Sequence, residues 1–152
     1  MDISIDLEDY KLNVRAAAVI IHNNKLLVHH DLNLKHYALI GGRIAIGENS
    51  EETLKREVKE ELGKEIEITE YITTIENFFT INDKKYHELM FVHKAEFVDD
   101  EDKKIEEELK GLEGKDHLRF EWIDLDKLDI KPKAMNDMLK NNKYISHKIQ
   151  KD

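Results

Sequence analysis

The chain has 152 residues, of which 40% are hydrophobic and 38% charged, and its net charge is -9. Such a length is enough to bury a hydrophobic core and points to one domain, residues 1–152. The charge argues against nonspecific attraction to nucleic acid or anionic lipid. The absence of cysteine excludes disulfides, thiolate metal sites and a cysteine nucleophile together.

From the start, "MDISIDLEDY" is acidic and lacks the basic-then-apolar order of a secretory signal. The longest apolar run, "AAAVII" at 16–21, is far short of the ~20 residues that span a bilayer. A cytoplasmic protein without a membrane partner is the expectation. Residues 13–22 are β-rich, and Asn23-Asn24 marks a turn into "KLLVHH" at 25–30. A short strand over 37–40 runs into a loop at Gly41-Gly42. Beyond it, Asn49 or Ser50 can cap a helix that reaches about Leu62, with Glu51 and Glu52 suited to its positive end and Gly63 as the stop. Two longer strands follow over 66–80 and 85–97, with Asn82-Asp83 as the hairpin turn. The polar stretch 99–116 carries Ile105, Leu109 and Leu112 at helical spacing and reads as a surface helix or an insertion. Residues 118–125 form a closing strand. Ala134, Met135, Met138 and Leu139 mark a final amphipathic helix after Pro132, the only proline. The order of elements implies one mixed α/β domain.

The chemistry concentrates in "GGRIAIGENSEETLKREVKEELGK" at 41–64. At 3.6 residues per turn, Glu60 lies about 60° to one side of Glu57 and Glu61 about 40° to the other, so the three carboxylates share a helix face. Leu54, Val58 and Leu62 form an adjoining apolar stripe that can dock on a sheet. The like-charge pair Glu57 and Glu61 costs only about 0.2–0.5 kcal/mol, so a solvated charged face stays open on repulsion alone.

The whole string, however, resembles the Nudix box, G-x5-E-x7-R-E-U-x-E-E-x-G-U, where U is bulky and aliphatic. Gly42, Glu48, Arg56, Glu57, Val58, Glu60, Glu61 and Gly63 occupy its places with matching spacing over residues 42–64. Three positions depart from the pattern: Lys64 takes the final aliphatic place, Ile40 stands where many members have proline, and Ala45 replaces a common acidic residue. The stem of Lys64 can still cover apolar surface. The resemblance to this MutT-like family implies an α+β fold, a mixed β-sheet sandwiched between α-helices.

It also implies a hydrolase that cleaves a diphosphate linkage in a nucleoside diphosphate derivative with Mg²⁺ or Mn²⁺. Glu57 and Glu61 would be the principal metal ligands. Glu60 would be a further ligand or the base that takes a proton from water. The Gly41 carbonyl would add an oxygen, and Arg56 and Glu48 would orient the group. Hard oxygen donors suit those cations. Homodimers are common among similar proteins. A catalytically inactive nucleotide-binding or regulatory module on the same fold is the alternative, and the complete carboxylate set counts against it. A generic scaffold or interaction protein comes third.

Outside the box, Asp116 is the first and Glu113 the second choice for an extra acidic ligand or base, because both precede the closing strand. Arg15 and Arg43 can bind phosphate through their donor forks, against a plain salt bridge. Glu88 can point into a cleft or pair structurally. His29 and His30, adjacent in a strand, face opposite sides and make no simple metal pair. For His87 and His93 packing is the expectation. Tyr37, Phe78, Phe79 and Trp122 are core residues or part of a base-stacking wall.

Overall fold

The computed structural model describes residues 1–32, 36–103, 109–110 and 117–152. Strand β1 (Ser4–Leu7) pairs antiparallel with β2 (Tyr10–Val19). After β3 (Ile21–His22), β4 (Lys25–Asp31) and β5 (Tyr37–Arg43) comes helix α1 (Ser50–Leu62). The long hairpin β6 (Ile66–Ile81) and β7 (Lys84–Phe97) follows, then a 3-10 turn at Asp100–Lys103, β8 (Leu109–Lys110) and β9 (Leu118–Asp124). The chain closes with β10 (Ile130–Lys131), α2 (Ala134–Asn141) and β11 (His147–Lys151). The main strand order is β11-β6-β7-β2-β5-β4-β9-β8, with parallel and antiparallel neighbours both present.

Two tight hairpins rest on asparagine and aspartate. Asn23 and Asn24 have φ of 50° and 61°, and Asn82 and Asp83 have 49° and 66°, the positive values that two-residue hairpin loops require. Strand β5 is the joint of the sheet. Its first half pairs with β4 and β10, whereas Ile40 to Arg43 pair with β2.

Period-two alternation divides the core between the two faces. Ala16 and Ala18 of β2, with Ile20 just past its end, belong to the cluster that takes Leu54, Val58 and Leu62 of α1. Ala17 and Val19 belong to the cluster that takes Met135, Met138 and Leu139 of α2. The mixed sheet is thus sandwiched between the helices, as the family resemblance implies. Each buried leucine or valine of α1 contributes about 2 kcal/mol to that docking.

Several boundaries differ from the sequence reading. The strand expected over 13–22 begins at Tyr10 and is preceded by β1, whose Ile5 and Leu7 are exposed and so carry no core pattern. The strand expected to end at Ile40 continues through both glycines to Arg43, because antiparallel pairing with Ala17 and Ala16 satisfies their backbone. In the polar stretch, Leu109–Lys110 is a strand paired with β9, not part of a helix, while Ile105 and Leu112 lie outside the described residues. The final helix sits where Pro132 predicts it. Strand β11, parallel to β6, was not expected, since its sequence HKIQK shows no β-rich run.

Candidate active site

The site is built from the end of β5, the loop 44–49 and α1. Ile44, only 5% exposed, anchors the loop in the α1 core. The chain start braces it from outside, with Ile3 N–H donating to Ile44 O at 2.8 Å and Ile46 N–H to Met1 O at 2.8 Å. Asn49 is the N-cap. Its side chain accepts from Glu52 N–H at 2.9 Å, and the Glu52 carboxylate accepts from Asn49 N–H at 2.9 Å, a reciprocal capping box. Ser50 Oγ lies 2.8 Å from His93 Nε2, which ties the helix start to β7. At the other end Gly63 adopts φ 69° and its N–H reaches Lys59 O, the left-handed cap expected of it. Lys64 donates to Asp102 at 2.9 Å and stands 5.8 Å from the Phe97 ring centroid, so it does cover apolar surface from the aliphatic position.

Arg56 organises the acidic groups. Its Nε donates to Glu48 Oε1 at 2.6 Å and its Nη2 to Glu48 Oε2 at 3.0 Å, a two-pronged pair that Thr53 Oγ1 completes at 2.8 Å. The hydrogen bonds from Arg56 hold the Glu48 carboxyl down at a pKa of about 2, with the Thr53 hydroxyl adding to the effect. The same bonds to Glu48 push the guanidinium up. Nη1 then donates to Glu57 Oε1 at 2.8 Å and Glu60 Oε2 at 3.3 Å, while Nη2 reaches the Arg43 carbonyl at 3.3 Å. One guanidinium therefore serves three carboxylates, and the group keeps surplus negative charge.

The two glycines of β5 are there for close approach. A Cβ on Gly42 would lie 2.6 Å from Glu57 Oε1 and 2.7 Å from its Cγ, so the missing side chain makes the seat of the Glu57 carboxylate. A Cβ on Gly41 would collide with the Ala16 carbonyl and come within 2.9 Å of Ala17 Cα, and its φ of 152° is unfavourable to other residues. Gly41 lies within β5 opposite Ala17, not in the loop expected at Gly41-Gly42.

Glu61 is buried, Glu57 is 14% exposed at its side chain and Glu60 51% exposed. Among the described residues no three His, Asp or Glu side chains are gathered tightly enough to hold a metal ion, and Arg56 instead engages one oxygen each of Glu57 and Glu60. In donor chemistry the group nevertheless fits a hard divalent cation. It offers carboxylate oxygens, surplus negative charge and a glycine seat that leaves Glu57 room beside β5.

A cleft of about 510 Å³ is lined by residues of β2, β4, β5, β6, β7 and β10. None of the α1 carboxylates lines it, and Arg43, whose carbonyl accepts from Arg56, links the two. Arg15 and Arg43 both line it, directly opposite each other across β2 and β5. Like charges in that register repel. Arg15 Nε stands 4.0 Å from Glu88 Oε2, so Glu88 both lines the cleft and pairs structurally. His29, also in the wall, is held neutral with a pKa lowered to about 4 by burial and then by Arg15.

Of the aromatic candidates, only Phe79 lines the cleft; Trp122 is in the α1 core and Tyr37 packs on the α2 cluster. Phe78 lies against His87, with ring centroids 4.4 Å apart. Asp116 and Glu113 lie outside the described residues. Sequence reasoning missed Asn13 and Asn77, buried at 2% and 6% exposure in the cleft wall. Their signal was a polar residue at an inward position, Asn77 standing between Ile75 and Phe79 in the period of two.

The fold is α+β, a mixed sheet between helices, and it is the fold of a family that hydrolyses acid anhydrides in phosphorus-containing substrates. The chain belongs to the Nudix family: residues 12–143 match the family model described as NUDIX domain. No curated protein matches the chain. Among solved structures it is similar to a MutT NUDIX hydrolase from Burkholderia pseudomallei, with a TM-score of 0.62 at 18% identity, covering 86% of this chain and 96% of that one. It is similar to an ADP-ribose pyrophosphatase from Streptococcus suis, with a TM-score of 0.59 at 12% identity, covering 91% and 98%. It also resembles a UDP-X diphosphatase, with a TM-score of 0.58 at 14% identity, covering 90% of this chain and 66% of that one. These likenesses concern the fold. Among the described residues no helix is long and apolar enough to cross a membrane.

Proposed function

We propose that the protein hydrolyses the diphosphate linkage of a nucleoside diphosphate derivative with the help of Mg²⁺ or Mn²⁺. The observation that carries this reading is the Glu57 carboxylate seated over Gly42, in an acidic group with surplus charge that Arg43 links to a cleft lined by Arg15 and Arg43. Glu57, Glu61 and the Gly41 carbonyl would hold the cation, with Glu60 as a further ligand or as the base. When bound, a divalent cation neutralises the diphosphate and makes water more acidic. Arg56 fixes the carboxylates, and Glu48 fixes Arg56. Arg15 and Arg43 bind the phosphates, and the anion offsets their mutual repulsion. The exposed Glu60 carboxylate is suited to take the proton from water as the new P–O bond forms and the bridging P–O bond breaks. The similar structures described as an ADP-ribose pyrophosphatase and a UDP-X diphosphatase support a diphosphate-linked substrate.

A panel of nucleoside diphosphate derivatives with Mg²⁺ or Mn²⁺ should show phosphate or nucleotide release. Glu57→Gln and Glu61→Gln should abolish it with the fold intact; full activity in the double variant contradicts the assignment. Ligand binding without hydrolysis across the panel would favour an inactive binding module. The same reading takes no nucleic-acid or membrane partner, in keeping with the charge of -9. It takes the cytoplasm as the compartment and a homodimer as the assembly, which light scattering on the purified protein tests.

A further inference from the structure

The wall of the cleft carries a feature that diphosphate binding does not use. Asn77 on β6 and Glu88 on β7 are direct cross-strand partners, both line the cleft, and they are only 6% and 4% exposed. Asn77 Oδ1 is buried without a hydrogen-bond partner. Glu88 has Arg15 at 4.0 Å, too long for a hydrogen bond. The Glu88 carboxylate, ion-paired but not hydrogen-bonded to Arg15, thus stands beside an unpaired Asn77 Oδ1, and a buried acceptor left unpaired normally loses stability for it.

The next registered pair on the same faces is Phe79 and Tyr86, two residues along each strand. Their rings stack with centroids 4.8 Å apart at 7°, and both line the cleft. Aromatic surface therefore adjoins the two acceptors, and the arginines lie beyond Glu88.

We propose that Asn77 and Glu88 read the exocyclic amine of a nucleobase lying against Phe79 and Tyr86, so that the enzyme selects amino-bearing bases over their keto counterparts. This rests on the nucleotide reading above and adds the class of base. An exocyclic amine has two N–H donors, one for each acceptor. Directly opposite residues hold their Cβ atoms about 4.5–5.5 Å apart, which carries both side chains to one part of the wall, where one nitrogen can donate to each through bonds of about 2.9 Å. A keto oxygen in the same place would face two acceptors and leave both unpaired.

Calorimetric titration of the wild type with CMP against UMP, and AMP against IMP, tests this without requiring turnover. In at least one pair the amino nucleotide should bind about tenfold to hundredfold more tightly. Asn77→Leu should shrink the preference to about threefold or less, and Glu88→Gln, which puts a donor beside Asn77, should improve binding of the keto partner. Should either variant fail to fold by circular dichroism, the wild-type ratio and the other variant decide. Equal or reversed affinities in the wild type, no binding of any of the four, or a preference unmoved by both substitutions would overturn the proposal. Hydrolysis without an amine preference would overturn it while leaving the proposed function standing, and amine-selective binding without hydrolysis would do the reverse.

Discussion

Replacing Gly42 by alanine separates the seat of Glu57 from the stability of the fold. The new Cβ would lie 2.6 Å from Glu57 Oε1 and closer still to its carboxyl carbon, whereas ordinary contact begins at 3.4 Å, so the carboxylate must withdraw by about 1 Å. That shift also strains the 2.8 Å hydrogen bond from Arg56. The group that must move is the end of a flexible side chain, so the backbone can stay. A misplacement of about 1 Å in a reacting constellation costs on the order of 10²-fold in rate. Steady-state hydrolysis of a diphosphate substrate should therefore fall by about that factor, with a melting temperature within a few degrees of wild type. Gly41→Ala is the control with the opposite signature. There the clash is with the Ala16 carbonyl and Ala17 Cα, both backbone, so the melting temperature itself should fall steeply. Wild-type turnover in Gly42→Ala would refute the reasoning, because Glu57 would then not need the space that the glycine leaves.

Three further outcomes follow from named contacts. Asn49→Ala removes the capping side chain of α1 and should lower stability by about 1 kcal/mol, read as a 2–4 °C drop in a thermal melt. Glu48 titrates at about 2 in the fold against an ordinary 4.5, because Arg56 stabilises its charged form. Its contribution is therefore complete above about pH 4.5 and is lost as pH falls toward 2. Urea melts across that window should be less steep in pH for Glu48→Gln. His29 should remain neutral down to a midpoint near pH 4, which an NMR titration of its imidazole checks; a midpoint near 6.5 would contradict its burial beside Arg15.

The helix of the site was legible because its signals are local. Asn49, Glu52 and Gly63 cap α1 from within a few residues of its ends, and the turns at Asn23-Asn24 and Asn82-Asp83 are local too. Leu54, Val58 and Leu62 then told which face docks. What could not be read depends on register between distant strands. Asn77 and Glu88 meet only because β6 and β7 pair as they do, and Arg15 faces Arg43 only because β5 runs straight through its glycines. A Gly-Gly pair invites a turn in the sequence, whereas here it serves close packing under Ala16 and Glu57. Strand β11 was invisible because most of it is exposed, so parallel pairing to β6 rather than burial defines it.

The most direct measurement is a Mn²⁺ titration followed by the EPR signal of the free ion, in wild type and in the Glu57→Gln/Glu61→Gln double variant. Wild type should deplete the free-ion signal stoichiometrically, and the folded variant should leave it as in buffer. Equal depletion by both proteins would contradict the assignment of the α1 carboxylates as the cation's holders.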